Sequence, residues 1–372
     1  MDIQKQIATV WPQLHAMAEP AFQEVRTAKF VAESLRELGY TVEENVGGTT
    51  AVVGVLDSGR PGPTVAVRSD MDCLLFKQED GSEKAIHACG HDAHMTVALA
   101  VAQLVKEQGL PCGRVKLLFQ PAEEIGKGAL VLLKAGALDD VQYALGYHVM
   151  PKDMARSGQI IPQINWTACT LIEGEIRGLA AHGSQPHLGI NAIDVGAAIV
   201  NAVNALHSNP LLGGSVKTTR FIGGAGSLNA ICDKVNIGFD LRSTSNAEML
   251  VLRQKVADIV TNTAKLYGAE GESHIVGTCP AAEADPSLLA LTKEVIVDVL
   301  GTQGLLPAVN ITVGEDFNFF KQEKPELKTA SLGIGCDLGP RLHDPEMHFD
   351  HAALEPAVKV LAQLTLKLLQ NA

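Results

Sequence analysis

Apolar positions along this 372-residue chain recur first at a helical period and then in short extended runs, and the two alternate. Ile3, Ile7, Val10, Leu14 and Met17 fall on one helical face, as do Phe30, Val31, Leu35 and Leu38. Pro20 separates these two helices and Gly39 stops the second, after which Tyr40-Thr41-Val42 opens an extended stretch. Residues 51–56 and 64–68 are β-rich runs parted by a Ser-Gly-Arg-Pro-Gly-Pro turn, and the second delivers Asp70 and Asp72. An Ala/Val/Leu helix at 95–107, a strand at 115–119, a short helix at 128–136 and a strand at 143–148 follow. Candidate chemical groups recur at the C-terminal ends of these strands, where open α/β sheets place their sites.

The pattern changes between 165 and 279. Strands are predicted at 167–177, 214–223, 235–242 and 273–276, with helices at 191–206 and 247–267, a β-α-β-β-α-β order of the ferredoxin-like kind. A helix at 285–301, a strand at 331–335 and a closing helix at 352–370 resume the first pattern. The expected fold class is α/β. A catalytic α/β domain (1–164 and 280–372) with a central, mostly parallel sheet is interrupted by an inserted ferredoxin-like α+β domain (165–279).

Composition narrows the partners. With 46% hydrophobic and 19% charged residues the chain can bury two cores, and a net charge of −12 argues against nucleic acid or an anionic membrane. No apolar run approaches the ~20 residues of a membrane span. The first twenty residues lack a basic start and a long apolar core, so no signal peptide is expected. Seven cysteines, an odd number lying mostly in apolar runs, read as reduced thiols, and the expected compartment is the cytoplasm.

The densest chemistry is His87-Ala88-Cys89-Gly90-His91-Asp92-Ala93-His94. Cys89 and His91 taken alone would more often be a buried thiol and a capping imidazole. With His87, Asp92 and His94 around them and Glu123-Glu124 downstream, a metal site becomes the better reading, with Asp92 and His94 orienting ligands through hydrogen bonds. Glu123-Glu124 follows the apolar run 115–119. Adjacent residues in a turn point different ways, so one can bind metal while the other takes the proton of a water whose pKa the metal lowers to about 7. His148 and His343 are lone histidines whose settings alone give them weight, and His348 and His351 compete with His343. In the loop 180–191, His182 is a candidate donor to a developing oxyanion and His187 a capping residue. Asn229 and Arg242 are candidates for holding a substrate carboxylate.

In this order, HACGHDAH, FQPAEE, GYHV, AAHGSQPHLGINAID, GEDF and LHDPEMHFD resemble the metal-dependent amidohydrolase branch of the aminoacylase/carboxypeptidase superfamily, essentially end to end. The resemblance implies two divalent metals (zinc, manganese or cobalt) held by Cys89, His91, Glu124, His148 and His343, with Cys89 bridging and Glu123 as general base. It favours His343 over its neighbours because Leu342–Pro345 reproduces a Leu-His-x-Pro pattern. It also implies that His182 polarises the scissile carbonyl and that the inserted domain is a lid and dimer interface. The chain departs from the family at Ala18-Glu19-Pro20, Cys73-Leu74-Leu75 and Ala180-Ala181-His182, none of them a proposed ligand.

The expected activity is hydrolysis of the amide bond of an N-acyl amino acid or similar small conjugate, and the resemblance implies a homodimer or higher homo-oligomer. Rivals are a dipeptidase or aminobenzoyl-glutamate-type hydrolase with the same machinery, a non-catalytic binding protein on the same fold, and a redox-sensing thiol protein built on Cys89.

Overall fold

The strand Thr64–Asp70 is buried at all of its positions, the pattern of a strand covered on both faces. In the computed structural model, which describes residues 2–224 and 226–370, it lies inside a seven-stranded sheet. Arg114–Gln120 and Tyr143–Pro151 flank it in parallel, and Lys328–Leu338 runs parallel to Tyr143–Pro151. Thr41–Val46, Ala51–Asp57 and Ile160–Ile161 complete the sheet as antiparallel edge pairings. The sheet is thus mostly parallel, as the sequence implies.

The chain divides into two compact units. The first comprises Met1–Asn165, Glu283–Asn310 and Asp316–Ala372 and holds the large sheet. Its helix His91–Gln108 is buried without a break from His91 to Ala102, because the Ala- and Val-rich sequence lets neighbours approach on every side. Leu354–Gln370 buries a broad apolar face in the same core.

The second unit comprises Trp166–Ala282 and Ile311–Glu315. Its four antiparallel strands stand in the order Gly214–Gly223, Lys234–Ser243, Ala168–Arg177, Glu270–Cys279. With the helices Ala192–Asn204 and Asn246–Leu266 this is the ferredoxin-like arrangement. Its core is drawn from one face of the sheet, with Ile172, Ile176, Ile237 and Phe239 packed with Val195, Ile199, Leu252 and Val256 of the helices.

Several boundaries differ from the sequence reading. Residues 311–315, counted there with the C-terminal part of the catalytic domain, pack with the second unit, where Thr167 N–H donates to the Val313 carbonyl at 3.1 Å. The helix predicted at 95–107 begins at His91, since Gly90 in a left-handed conformation (φ 87) serves as its N-cap. The strand predicted at 143–148 continues to Pro151, so His148 lies within it. The hairpin Leu74–Lys77 with Glu83–Ile86 carried no apolar alternation strong enough to predict it. Among the described residues no helix is long and apolar enough to cross a membrane.

Candidate metal centre

Gly90 is the pivot of the site. Its left-handed turn closes the Cys89 loop and opens the helix, so that Cys89 and His91 face inward from either side of it. Both are buried. His91 Nδ1 donates to the Asp72 carbonyl at 2.8 Å, which fixes the tautomer and turns Nε2 into the site, where it is buried without a hydrogen-bond partner. His148, from the parallel strand two places away in the sheet order from Arg114–Gln120, is held in the same way: Nδ1 donates to the Val149 carbonyl at 2.7 Å, and Nε2 lies 3.4 Å from Cys89 Sγ. Locking one ring nitrogen on a main-chain carbonyl so that the other can ligate is the usual support of a metal-binding histidine.

Glu123 and Glu124 follow the strand Arg114–Gln120, after Ala122 in a left-handed conformation (φ 56). Their N–H groups donate to the two carboxylate oxygens of Asp72, at 2.9 and 3.1 Å. Glu123 Oε2 and Glu124 Oε1 each lie 3.9 Å from His91 Nε2, and Glu124 Oε1 is buried without a partner. His343, also left-handed (φ 60), is pinned to the Cys89 loop by its N–H donating to the Ala88 carbonyl at 2.6 Å, and its Nε2 lies 3.6 Å from Glu124 Oε2.

Two overlapping groups result. Cys89, His91 and His148 form one, Cys89, Glu124 and His343 the other, each with ligand atoms within 4.8 Å of one another. A further group joins His91, Glu123 and Glu124. The sulfur common to the first two groups, the imidazoles with one nitrogen aimed inward and the orphaned oxygen of Glu124 make a donor set of nitrogen, sulfur and oxygen that suits zinc-like ions. The electrostatics agree. Burial, reinforced by the Asp72 and Asp70 carboxylates, pushes Glu124 up to about 7, and burial followed by Glu124 drives the Cys89 thiol well above its ordinary value. Acidic groups crowded in a dry site ask for a cation.

The chain belongs to peptidase family M20/M25/M40. The family's sequence profile matches residues 66–367. A probable hydrolase of Synechocystis is 33% identical over 96% of this chain and 94% of its own length, and the hippurate hydrolase of Campylobacter jejuni is 28% identical over 100% and 98%. The crystal structure of a putative aminohydrolase from methicillin resistant Staphylococcus aureus superposes with a TM-score of 0.88 at 27% identity, covering 98% of this chain and 97% of that one. This M20 chain is a metal-dependent hydrolase in fold and kind, as its motifs imply.

The remaining motif residues divide by what they touch. His94 is committed on both nitrogens, donating to Asp70 Oδ1 at 2.6 Å and accepting the Val149 N–H at 3.0 Å, so it positions Asp70 rather than ligating. Asp92 departs from the sequence reading: it accepts from His15 Nδ1 at 2.7 Å and from the Ala93 N–H, and among the described residues it orients no candidate ligand. His87 is buried with no hydrogen-bond partner on either nitrogen, and burial lowers its pKa. His348 donates to the Glu346 carbonyl and His351 lies tilted against the Trp11 ring, and neither joins a ligand group among the described residues.

Arg68, fully buried, donates to Asp70 at 2.5 Å and to Asp316 at 2.8 Å beneath the site. Glu24, also buried, accepts the N–H of Ala122 at 3.0 Å and so braces the turn before the glutamate pair. Sequence reasoning assigned no role to Arg68, Glu24, His15 or Asp72. Only Asp72, two residues past Asp70 at a strand end, carried a positional signal.

The second unit holds the other candidates. His182 is exposed, and its Nδ1 accepts the Ser184 N–H at 3.1 Å, which leaves Nε2 as the protonated nitrogen. The neighbouring Gly183 N–H donates to the Asn229 carbonyl at 2.6 Å, so these two candidates share one loop cluster. Arg242 is tied by Nε and Nη2 to both oxygens of Asp240, at 2.7 and 3.0 Å, and by Nη1 to the Thr312 carbonyl. The bidentate edge assigned to a substrate carboxylate is therefore filled by Asp240.

Proposed function

We propose that this chain hydrolyses the amide bond of N-acyl amino acids or similar small amide conjugates, giving a carboxylic acid and an amine. The observation that carries the reading is the pair of ligand groups sharing Cys89, with Glu123 beside them and outside both. Cys89, His91 and His148 would hold one divalent ion and Cys89, Glu124 and His343 a second, zinc, manganese or cobalt. When bound, such ions lower the pKa of a coordinated water to about 7 and polarise a carbonyl. Glu123 accepts the proton of the attacking water and passes it to the leaving nitrogen. His182 donates from Nε2 to the developing oxyanion, the tautomer set by Ser184. Asn229 and Arg242 hold the substrate carboxylate, Arg242 through guanidinium N–H groups other than those Asp240 takes.

The substrate class rests on the relatives. Hippurate is itself an N-acyl amino acid, and one relative is named for hydrolysing it. The inserted unit is proposed as lid and dimer interface. The exposed Phe221 and Ile222 on its edge strand Gly214–Gly223 support a homodimer, which light scattering tests. Seven cysteines, none in a disulfide among the described residues, support a cytoplasmic setting.

The test is a panel of N-acyl amino acids and dipeptides with metal-loaded wild type and Glu123→Gln. Turnover of acyl-amino acids by the wild type, with a loss of at least ~100-fold in the variant while metal is retained, supports the reading. Turnover of dipeptides alone moves the substrate class to a dipeptidase. Equal rates for both proteins remove Glu123 as base. Binding without turnover identifies a binding protein.

A further inference from the structure

We propose that Cys169 and Cys279 form a reversible dithiol–disulfide site in the second unit, open to exchange with low-molecular-weight disulfides of the glutathione kind. The two are register partners on the antiparallel strands Ala168–Arg177 and Glu270–Cys279. Residues directly opposed in such a pair have Cα atoms about 4.5–5.5 Å apart. That lies inside the ~4.4–6.8 Å span of a disulfide, so closure needs no strand to move. Both thiols are half-buried. Gly314 passes so close that a Cβ there would meet Cys169 Sγ at 2.8 Å and Cys279 Cβ at 3.1 Å, so only a residue without a side chain fits beside the pair.

The surroundings select Cys169 as the attacking thiol. The Cys279 hydrogen bond, working against burial and helped by the Arg242 guanidinium, lowers Cys169 to about 6, with Asp240 opposing. Burial instead pushes Cys73 and Cys336 up to about 12. Cys89, the thiol that the sequence would single out for redox chemistry, is driven the same way. Reactive cysteines are the accessible ones of low pKa.

The exchange balances without a cofactor. Cys169 thiolate attacks one sulfur of the small disulfide, releasing one thiolate and leaving a mixed disulfide. Cys279 loses its proton and displaces the second thiol, so two electrons leave the protein as two small thiols and the Cys169–Cys279 bond forms. The dithiol pair lies beside Arg242, the register partner of Cys169, and its exchange does not depend on which amide the chain hydrolyses.

The experiment treats the full-length protein with graded oxidised glutathione at pH 7, blocks free thiols by alkylation and maps the peptides. The expected result is a Cys169–Cys279 cross-link that accumulates while the half-buried Cys112 remains alkylatable, and that dithiothreitol reverses. Cys279→Ser should trap glutathione on Cys169, and Cys169→Ser should slow reaction at Cys279 by at least ~10-fold. A separate readout needs no variant: Cys169 of the untreated protein should alkylate faster than Cys112. Glutathione appearing on Cys112 before any cross-link, or equal alkylation rates at Cys169 and Cys112, would overturn the proposal.

Discussion

Asp72 and Glu124 are joined through the main chain, the Glu124 N–H donating to Asp72 Oδ2 at 3.1 Å. The other carboxylate oxygen takes the Glu123 N–H, and the Asp72 carbonyl takes His91 Nδ1–H. One residue thereby orients a candidate ligand histidine and both glutamates, without itself joining the groups that share Cys89. Its place at the end of the buried strand Thr64–Asp70 makes this possible, because the sheet fixes the main chain from which all three bonds are counted.

Asp72→Asn tests that arrangement. An amide keeps one acceptor oxygen and turns an NH2 toward the second N–H donor, so one glutamate loses its anchor. The expected outcome is a ~10- to 100-fold fall in metal affinity or turnover, the usual effect of removing a residue that orients ligands. Competition titration with a chelator measures the first and a steady-state assay the second. Unaltered values for both would show that the glutamate pair holds its own position.

His94 and His148 stand in adjoining positions of the site and should respond oppositely to alanine. His94 has both nitrogens occupied within the protein, so His94→Ala leaves the Asp70 carboxylate and the Val149 N–H short of a partner. A loss of about 1–3 kcal/mol in stability is expected, with metal stoichiometry kept. His148→Ala removes Nε2 beside Cys89 Sγ and should reduce bound metal by about one ion per chain. Elemental analysis with thermal melting separates the two. Loss of metal from His94→Ala would move that residue into the ligand set.

The difference between these histidines marks how far the sequence could be read. Apolar periodicity located the large sheet, the order of the inserted unit and the helix that follows Gly90, because each depends on burial, which hydrophobic spacing records. The crowding of His87, Cys89, His91 and His94 announced a metal site, yet spacing could not show which imidazole nitrogens were already taken. The tautomers of His91 and His94 depend on carbonyl and carboxylate partners that are remote in sequence. Arg68 and Glu24 escaped notice for the same reason. A buried charge inside a strand or at a helix start has no local signature when its partner is Asp316 or Ala122.

Glu124 contributes stability to the metal-free protein that is lost as pH rises from about 4.5 to about 7, opposed by His148 and His87, whose pKa values burial lowers. Glu124, pushed to about 7 by burial, holds a proton over that range that the unfolded chain, with its ordinary 4.5, has released. At this group the folded state then binds more protons than the unfolded one, so its contribution to the slope of stability with pH is negative, and the loss is on the order of 3 kcal/mol or less. His91, held above its ordinary 6.5 chiefly by the Asp70 carboxylate against burial, adds a loss of the same sign above that pH. Divalent metal replaces these protons, so it should raise the melting temperature more at pH 7 than at pH 5. Calorimetry of chelated and reloaded protein checks both statements. A chelated Glu124→Gln variant whose melting temperature follows the same pH slope as the chelated wild type would contradict them.

Gly90 supplies the sharpest steric prediction. Its φ of 87 lies in the left-handed region, and a Cβ built there would fall on Val149 Cγ2. Gly90→Ala should therefore cost about 1–2 kcal/mol for the backbone, with a clash added, and should weaken metal binding because Cys89 and His91 adjoin it. Val149→Ala opens space for the new methyl group but cannot relieve the backbone. The double variant should accordingly be less destabilised than the sum of the two single variants, by at least ~0.5 kcal/mol, while remaining below Val149→Ala alone. Denaturant unfolding of the four proteins in their chelated state measures the coupling. Strict additivity would mean that Val149 does not bound the space at Gly90, and a double variant as stable as Val149→Ala would mean that the left-handed turn imposes no strain.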